Sequence, residues 1–224
     1  MVQSVAFLPQ TGLAAKEHVV IRSERQNGIL RLTIDRADKA NALTAAMLED
    51  LTTALEGAED GTRAVILTGA GGVFSAGADL EAARAGLMTS PLWEGLSARV
   101  AAMPCLTVAA LNGTLAGGAF GMVLACDLRI SVPGARFFYP VMRLGFRPQP
   151  SDPGRLAALV GPARAAMILM AGQRIGAEEA LSWGLIDRIV PSEALLAEAE
   201  ALTADACAAP PDLVRDIKRM LRPR

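Results

Sequence analysis

Short, continuously apolar runs alternate along this chain with stripes of apolar residues at helical spacing, and that succession predicts its elements. Val19–Arg25 and Ile29–Asp35 flank Gln26-Asn27-Gly28, which predicts a β-hairpin. Thr44 stands ahead of Met47, Leu51, Leu55 and Ala58, a spacing that predicts a helix capped by Thr44 and running to about Ala58. Arg63–Thr68 reads as a short strand that runs into Gly69, Gly71 and Gly72. A helix is expected to start near Asp79. Another is expected over Pro91–Met103, with Trp93, Leu96, Val100 and Met103 on one face. Leu106–Leu111 reads as a buried strand, Asn112-Gly113 as a turn, Ala116–Cys126 as a buried helix and Leu128–Val132 as a strand. Four prolines and Gly145 make 140–153 irregular. Helices follow at about Pro153–Leu159, Pro162–Met170 and Ala177–Trp183, the last stopped by Gly184. Ile186–Val190 is the last expected strand, and helices near Ser192–Cys207 and Pro211–Leu221 finish the chain. Strands alternate with helices and no internal sequence repeat is visible, so the class is α/β. The expected division is a leader over 1–17, a core domain over 18–190 and a short helical C-terminal region over 191–224.

One stretch bears on that picture. Val100–Cys126 carries no charge and is long enough to span a bilayer, with Gly113, Gly117 and Gly121 at the four-residue spacing of membrane helix pairs. Pro104, Asn112, Thr114 and Gly117-Gly118 divide it, which favours a buried strand and helix. Composition narrows the function classes. With 224 residues, half of them apolar, a sizeable core can form. The net charge of -1 and the 4% aromatic content give no footprint for nucleic acid. Cys105, Cys126 and Cys207 fit no zinc pattern, and His18 is the sole histidine, placed at the start of a β-like run. Reduced thiols and the absence of a signal-peptide pattern point to a cytoplasmic protein.

The glycine cluster is no dinucleotide loop, because Phe74 stands where the third glycine of G-x-G-x-x-G belongs. Read with its sequel, Val65 to Leu80 (VILTGAGGVFSAGADL) resembles the first signature of the crotonase, or enoyl-CoA hydratase/isomerase, family. Leu111 to Gly121 (LNGTLAGGAFG), followed by Cys126-Asp127, resembles the second. Lys39 to Leu43 (KANAL) is similar to the family's CoA-contacting segment, and 172–191 to its later helix–strand unit. The resemblance covers roughly 18–220 and implies a crotonase-like fold of stacked β-β-α turns with a shortened helical C-terminal region. It also implies an acyl-CoA thioester as substrate, no cofactor beyond that CoA, and a homo-oligomer, a trimer or a multiple of one. The chain ends at Arg224, short of the helices that help such trimers form.

Thioester chemistry of this kind puts negative charge on the carbonyl oxygen, and two fixed N–H donors can hold it. Carried over by motif, those donors are the backbone N–H groups of Ala78 and Gly118, each where a loop enters a helix. Lys39, Ala40, Ala42, Ala76, Asp79 and Leu80 are the expected CoA contacts. The family's two catalytic glutamates fall at Gly121 and Val141, and a third position used for an aspartate falls at Gln149. None of these side chains exchanges a proton. Asp152 precedes Pro153 at a helix start, where it reads either as an N-cap or as a replacement base. Tyr139, the sole tyrosine, is a candidate proton donor or substrate contact. Arg143 and Arg147 could meet an acidic acyl group or solvent. Three readings stay open: an enzyme that forms a thioester enolate, a CoA-ester-binding protein without catalysis, and a membrane protein spanning 100–126.

Overall fold

The computed structural model describes residues 20–58 and 61–221. His18 and the expected leader lie outside them. Its strands are β1 (Ile21–Gln26), β2 (Ile29–Ile34), β3 (Ala64–Gly69), β4 (Val73–Ser75), β5 (Leu106–Leu111), β6 (Thr114–Ala116), β7 (Leu128–Ser131), β8 (Arg136–Phe138), β9 (Ile175–Gly176) and β10 (Arg188–Ile189). The helices are α1 (Ala45–Glu56), α2 (Leu80–Arg84), α3 (Leu92–Ala102), α4 (Phe120–Leu124), α5 (Val141–Leu144), α6 (Asp152–Val160), α7 (Pro162–Leu169), α8 (Ala177–Trp183), α9 (Leu195–Ala208) and α10 (Pro211–Met220).

The strands form two sheets. The larger has the order β1-β2-β3-β5-β7-β10 and the smaller the order β4-β6-β8-β9. The predicted hairpin closes with Asn27 and Gly28 both at positive φ, and its β1/β2 pair is the antiparallel edge of an otherwise parallel large sheet. In β3 the residues from Ala64 to Leu67 are buried on both faces, which is why this strand reads as a continuous apolar run. Thr44 caps α1 through its hydroxyl, which accepts from Met47 N–H at 3.3 Å, and Met47, Leu48, Leu51 and Leu55 turn to the core.

The connectivity is a spiral. Three times in succession the chain gives one strand to the large sheet, then one to the small sheet, then a helix: β3-β4-α2, β5-β6-α4 and β7-β8-α5. The sequence carries no matching self-similarity, so the repeat is one of structure alone. The expected buried helix over 116–126 is divided. Its first residue ends β6, Gly117–Ala119 form a 3-10 turn, and only Phe120–Leu124 are α-helical. The two glycines favour tight backbone turning over regular helix. The irregular stretch 140–153 contains one short helix, α5, and runs into the start of α6. Among the described residues no helix is long and apolar enough to cross a membrane, and the charge-free stretch is spent on the end of α3, two strands, the 3-10 turn and α4.

At the C-terminal end, α10 is fixed by a buried cation. Lys218 Nζ lies 2.6 Å from Asp127 Oδ2 and donates to Cys105 O at 2.8 Å. Arg129, also buried, donates to the carbonyls of Leu185 and Cys126. The Cys126-Asp127 part of the second signature thus joins strands and helices together.

Candidate active site

The three turns of the spiral each present a residue at nearly the same place. Ser75, Ala116 and Phe138 end β4, β6 and β8, and Ala78, Gly118 and Tyr139 follow them by three, two and one residues. All three line one small cavity, together with Met88, Trp93, Val141, Phe146, Arg147 and Gln149. Its volume is about 20 Å³, room for about one water molecule.

The first loop is held rigidly. Ala76 N–H donates to Ala40 O at 3.0 Å, Leu43 N–H to Gly77 O at 2.8 Å and Asp79 N–H to Leu43 O at 2.9 Å. These bonds bring the Lys39–Leu43 segment against Ala76–Leu80, so the residues expected to contact CoA do converge. Lys39 is exposed at the end of a 3-10 turn, Ala40 and Ala42 are half-buried, and Ala76 and Leu80 are exposed. The Ala78 N–H is not a donor in the bonds that tie the segments together. Asp79 has a task of its own as the N-cap of α2. It accepts from Glu81 and Ala82 N–H and pairs with Arg36 at 2.8 Å, and the Arg36 bond holds its carboxyl below the usual range.

One organiser here was not found from the sequence. Asn41 is buried at φ 53 and donates to the carbonyls of Ala70 and Val73 while accepting from Arg36 N–H. Its signal is the residue type, since asparagine tolerates left-handed backbone better than other non-glycine residues.

In the second loop Gly118 lies against the face of Trp93. A Cβ at 118 would come within 3.0 Å of the indole ring, which is fixed by its own N–H donating to Leu87 O at 2.8 Å. The role of Trp93 in the cavity wall has no signal in the chain beyond a place on the apolar face of α3. The Gly118 N–H, like that of Ala78, is not among the donors in the loop bonds.

The third turn and α6 after it bring the ionisable groups. Tyr139 is buried, its ring stacks on Phe120 at 5.4 Å, and its hydroxyl donates to Asp152 Oδ2 at 2.9 Å. The N-cap reading of Asp152 is corrected. Asp152 is the first residue of α6, Ser151 is the N-cap, and no side chain makes a capping bond. The Asp152 carboxylate instead turns inward and is fully buried. Its Oδ1 has no hydrogen-bond partner among the described residues.

Burial pushes the Asp152 carboxyl up to about 6. The Tyr139 bond opposes this, Glu94 adds to it and Arg155 opposes it more weakly. Burial and the neighbouring carboxylate together push the Tyr139 hydroxyl well above its ordinary value.

Gly121 explains how the carboxylate fits. A Cβ there would lie 2.9 Å from Asp152 Oδ1. Val141 lines the cavity with an apolar side chain. Gln149 lines it too, with its amide donating to Met88 O at 3.3 Å. Arg147 reaches the cavity, whereas Arg143 lines a separate depression with Phe138, Pro140 and Arg174. Among the described residues no group of His, Cys, Asp and Glu is placed to hold a metal ion. Cys105 and Cys126 are buried thiols pushed up to about 11 and about 12 by desolvation, which makes them poor nucleophiles.

A double-sheeted β-β-α spiral with a cavity at its helix starts is the architecture of the crotonase superfamily. Sequence comparison agrees, since the family model for enoyl-CoA hydratase/isomerase matches residues 24–223. The chain belongs to the enoyl-CoA hydratase/isomerase family. It is 38% identical to a probable enoyl-CoA hydratase of Rhodobacter capsulatus, over 76% of this chain and 68% of that protein. It is 30% identical to 4-chlorobenzoyl coenzyme A dehalogenase-2 of an Arthrobacter species, over 90% of this chain and 77% of that one. The crystal structure of an enoyl-CoA hydratase from Bacillus anthracis superposes with a TM-score of 0.83 at 32% identity, covering 89% of this chain and 81% of the other.

Proposed function

We propose that this protein is an acyl-CoA enzyme that draws its substrate's thioester into an enolate, with the oxygen held by the N–H groups of Ala78 and Gly118. The observation that carries the reading is that these two loop residues share one cavity with Tyr139, which is bonded to a buried carboxylate, Asp152. Preorganised N–H donors in a site of low dielectric are worth on the order of 10²–10³ in rate each. A carboxyl near 6 suits proton exchange close to neutral pH, so Asp152 is the acid–base reserve.

CoA enters as part of the substrate. The bond from Ala76 N–H to Ala40 O supports a backbone cradle for its adenine and pantetheine, with Ala42 in the same segment and Asp79 and Leu80 continuing it, and the exposed Lys39 supports a phosphate contact. The cavity holds about one water, so an acyl group enters by displacing the wall at Phe146 and Arg147.

Water addition through two opposed carboxylates is not part of this reading, because 121 and 141 carry glycine and valine. Those two residues also favour a second reading, a CoA-ester binder without turnover. Calorimetry with butyryl-CoA, paired with crotonyl-CoA hydration followed by the enoyl-thioester absorbance, tests both. Binding without brisk hydration is expected. No binding would sink both readings, and brisk hydration would show that other residues replace the family's glutamates.

A further inference from the structure

We infer that Tyr139 carries the proton between the buried carboxylate of Asp152 and the α-carbon of a bound thioester, so that the site performs α-proton transfer, as in exchange or double-bond migration. This rests on the acyl-CoA reading above and assigns the group that touches the substrate.

Asp152 is fully buried and does not line the cavity, whereas Tyr139 does, and the hydroxyl of Tyr139 is the group bonded to Asp152 Oδ2. Asp152 Oδ1 faces the backbone of Gly121 and has no partner among the described residues. A carboxylate kept only for stability would have both oxygens satisfied or would be replaced by an apolar side chain of similar volume. Here helix α4 instead leaves position 121 without a side chain, and that space is filled by the Asp152 carboxylate.

The charged groups around the pair come from each packed element. Glu94 on α3 is held by Ser151, Arg155 on α6 is bonded to Ser97, and Arg147 lies at the cavity wall. The α4 residues Phe120–Leu124 contribute no charge.

The step balances. The α-C–H bond breaks and its proton goes to the phenolic oxygen of Tyr139, while the tyrosine's own proton passes to Asp152 Oδ2. The electron pair moves to the thioester oxygen, held by the two backbone N–H groups. Tyrosine stays neutral throughout, and the negative charge passes from Asp152 to the enolate. Return of a proton by the same route restores the starting charges. Between turnovers a cavity water exchanges that proton with solvent.

The test is deuterium incorporation at the α-carbon of butyryl-CoA in D2O, read by mass spectrometry, with binding measured by calorimetry and folding by thermal melting. The wild type is expected to incorporate deuterium, with a rate that rises with pH through about 6. Tyr139→Phe keeps the stack on Phe120, and is expected to bind butyryl-CoA as the wild type does but to exchange about 100-fold more slowly. Asp152→Asn is expected to be comparably slow, with a flat pH profile from 5 to 8. Exchange by Tyr139→Phe within a few-fold of wild type would overturn the inference. So would a wild type that binds but never exchanges. Should Tyr139→Phe not fold, the profile of Asp152→Asn decides, since a wild-type profile there overturns the relay and a flat one supports it. A wild type that does not bind butyryl-CoA would fail the acyl-CoA reading itself, and the relay with it.

Discussion

The two sheets differ in how they are made and in what they carry. In the large sheet β1, β2, β3 and β5 run six residues each, and Val65, Ile66, Val108 and Leu111 are inaccessible to solvent. Each such burial contributes about 1.5–3 kcal/mol, so the long strands are held along their whole length. The small sheet has strands of two or three residues, and β4 meets β6 through an irregular register. Its ladder bonds are too few to hold it. Each of its strands instead sends one large side chain into the core: Phe74, Leu115, Phe137 and Ile175, all at most 1% exposed. Yet the three small-sheet strands β4, β6 and β8 deliver the cavity residues. The long strands are buried along their length, whereas the short ones that lead to the cavity are positioned by single anchors.

Paired substitutions break or sharpen this contrast. The largest effect is expected for Phe74→Ala against Ile66→Ala, each costing about 2–5 kcal/mol in urea unfolding. The contrast predicts that only Phe74→Ala also weakens butyryl-CoA binding by the fraction that remains folded. Equal binding by both would show that the small sheet does not depend on its anchors. Gly118→Val comes next. Its Cβ meets the Trp93 ring at 3.0 Å and displaces the loop, so enolate-dependent exchange should fall about 100-fold while the melting temperature moves little.

Asp152→Asn gives a smaller effect on stability, with a definite sign. The folded Asp152 carboxyl sits near 6, above its ordinary value of 3.8, so the native state binds the proton more tightly. Wild-type stability therefore falls as pH rises from about 4 to about 6 and is level beyond, a loss on the order of 3 kcal/mol. Unfolding free energies measured at pH 4, 6 and 8 should show that slope in the wild type and lose it in Asp152→Asn. Smallest is Lys39→Ala, an exposed cation, expected to weaken CoA-ester binding about threefold at low salt and less at high salt.

The same contrast governs what could be read from the chain. The long strands of the large sheet and the Thr44-capped α1 were legible because burial leaves continuous apolar runs and stripes. The small sheet was not. Val73-Phe74-Ser75 sits after a glycine cluster and falls in no expected element, and Thr114-Leu115 falls between the expected turn and the expected helix, since three residues show no period. The loop residues Ala78 and Gly118 were marked by glycine-rich signatures around them. The inward turn of Asp152 was not, because Asp-Pro at a helix start reads as a cap. Only the packing of Tyr139, on another turn of the spiral, reveals a different orientation.

The space between Gly121 and Asp152 behaves as a socket with two addresses. A side chain grown from α4 and the carboxylate sent from α6 would compete for the same volume, 2.9 Å apart at their nearest, so the bare glycine at 121 is what admits the carboxylate. Two positions 31 residues apart in the sequence, 121 and 152, thus share one volume, and what stands at either sets what the other can hold.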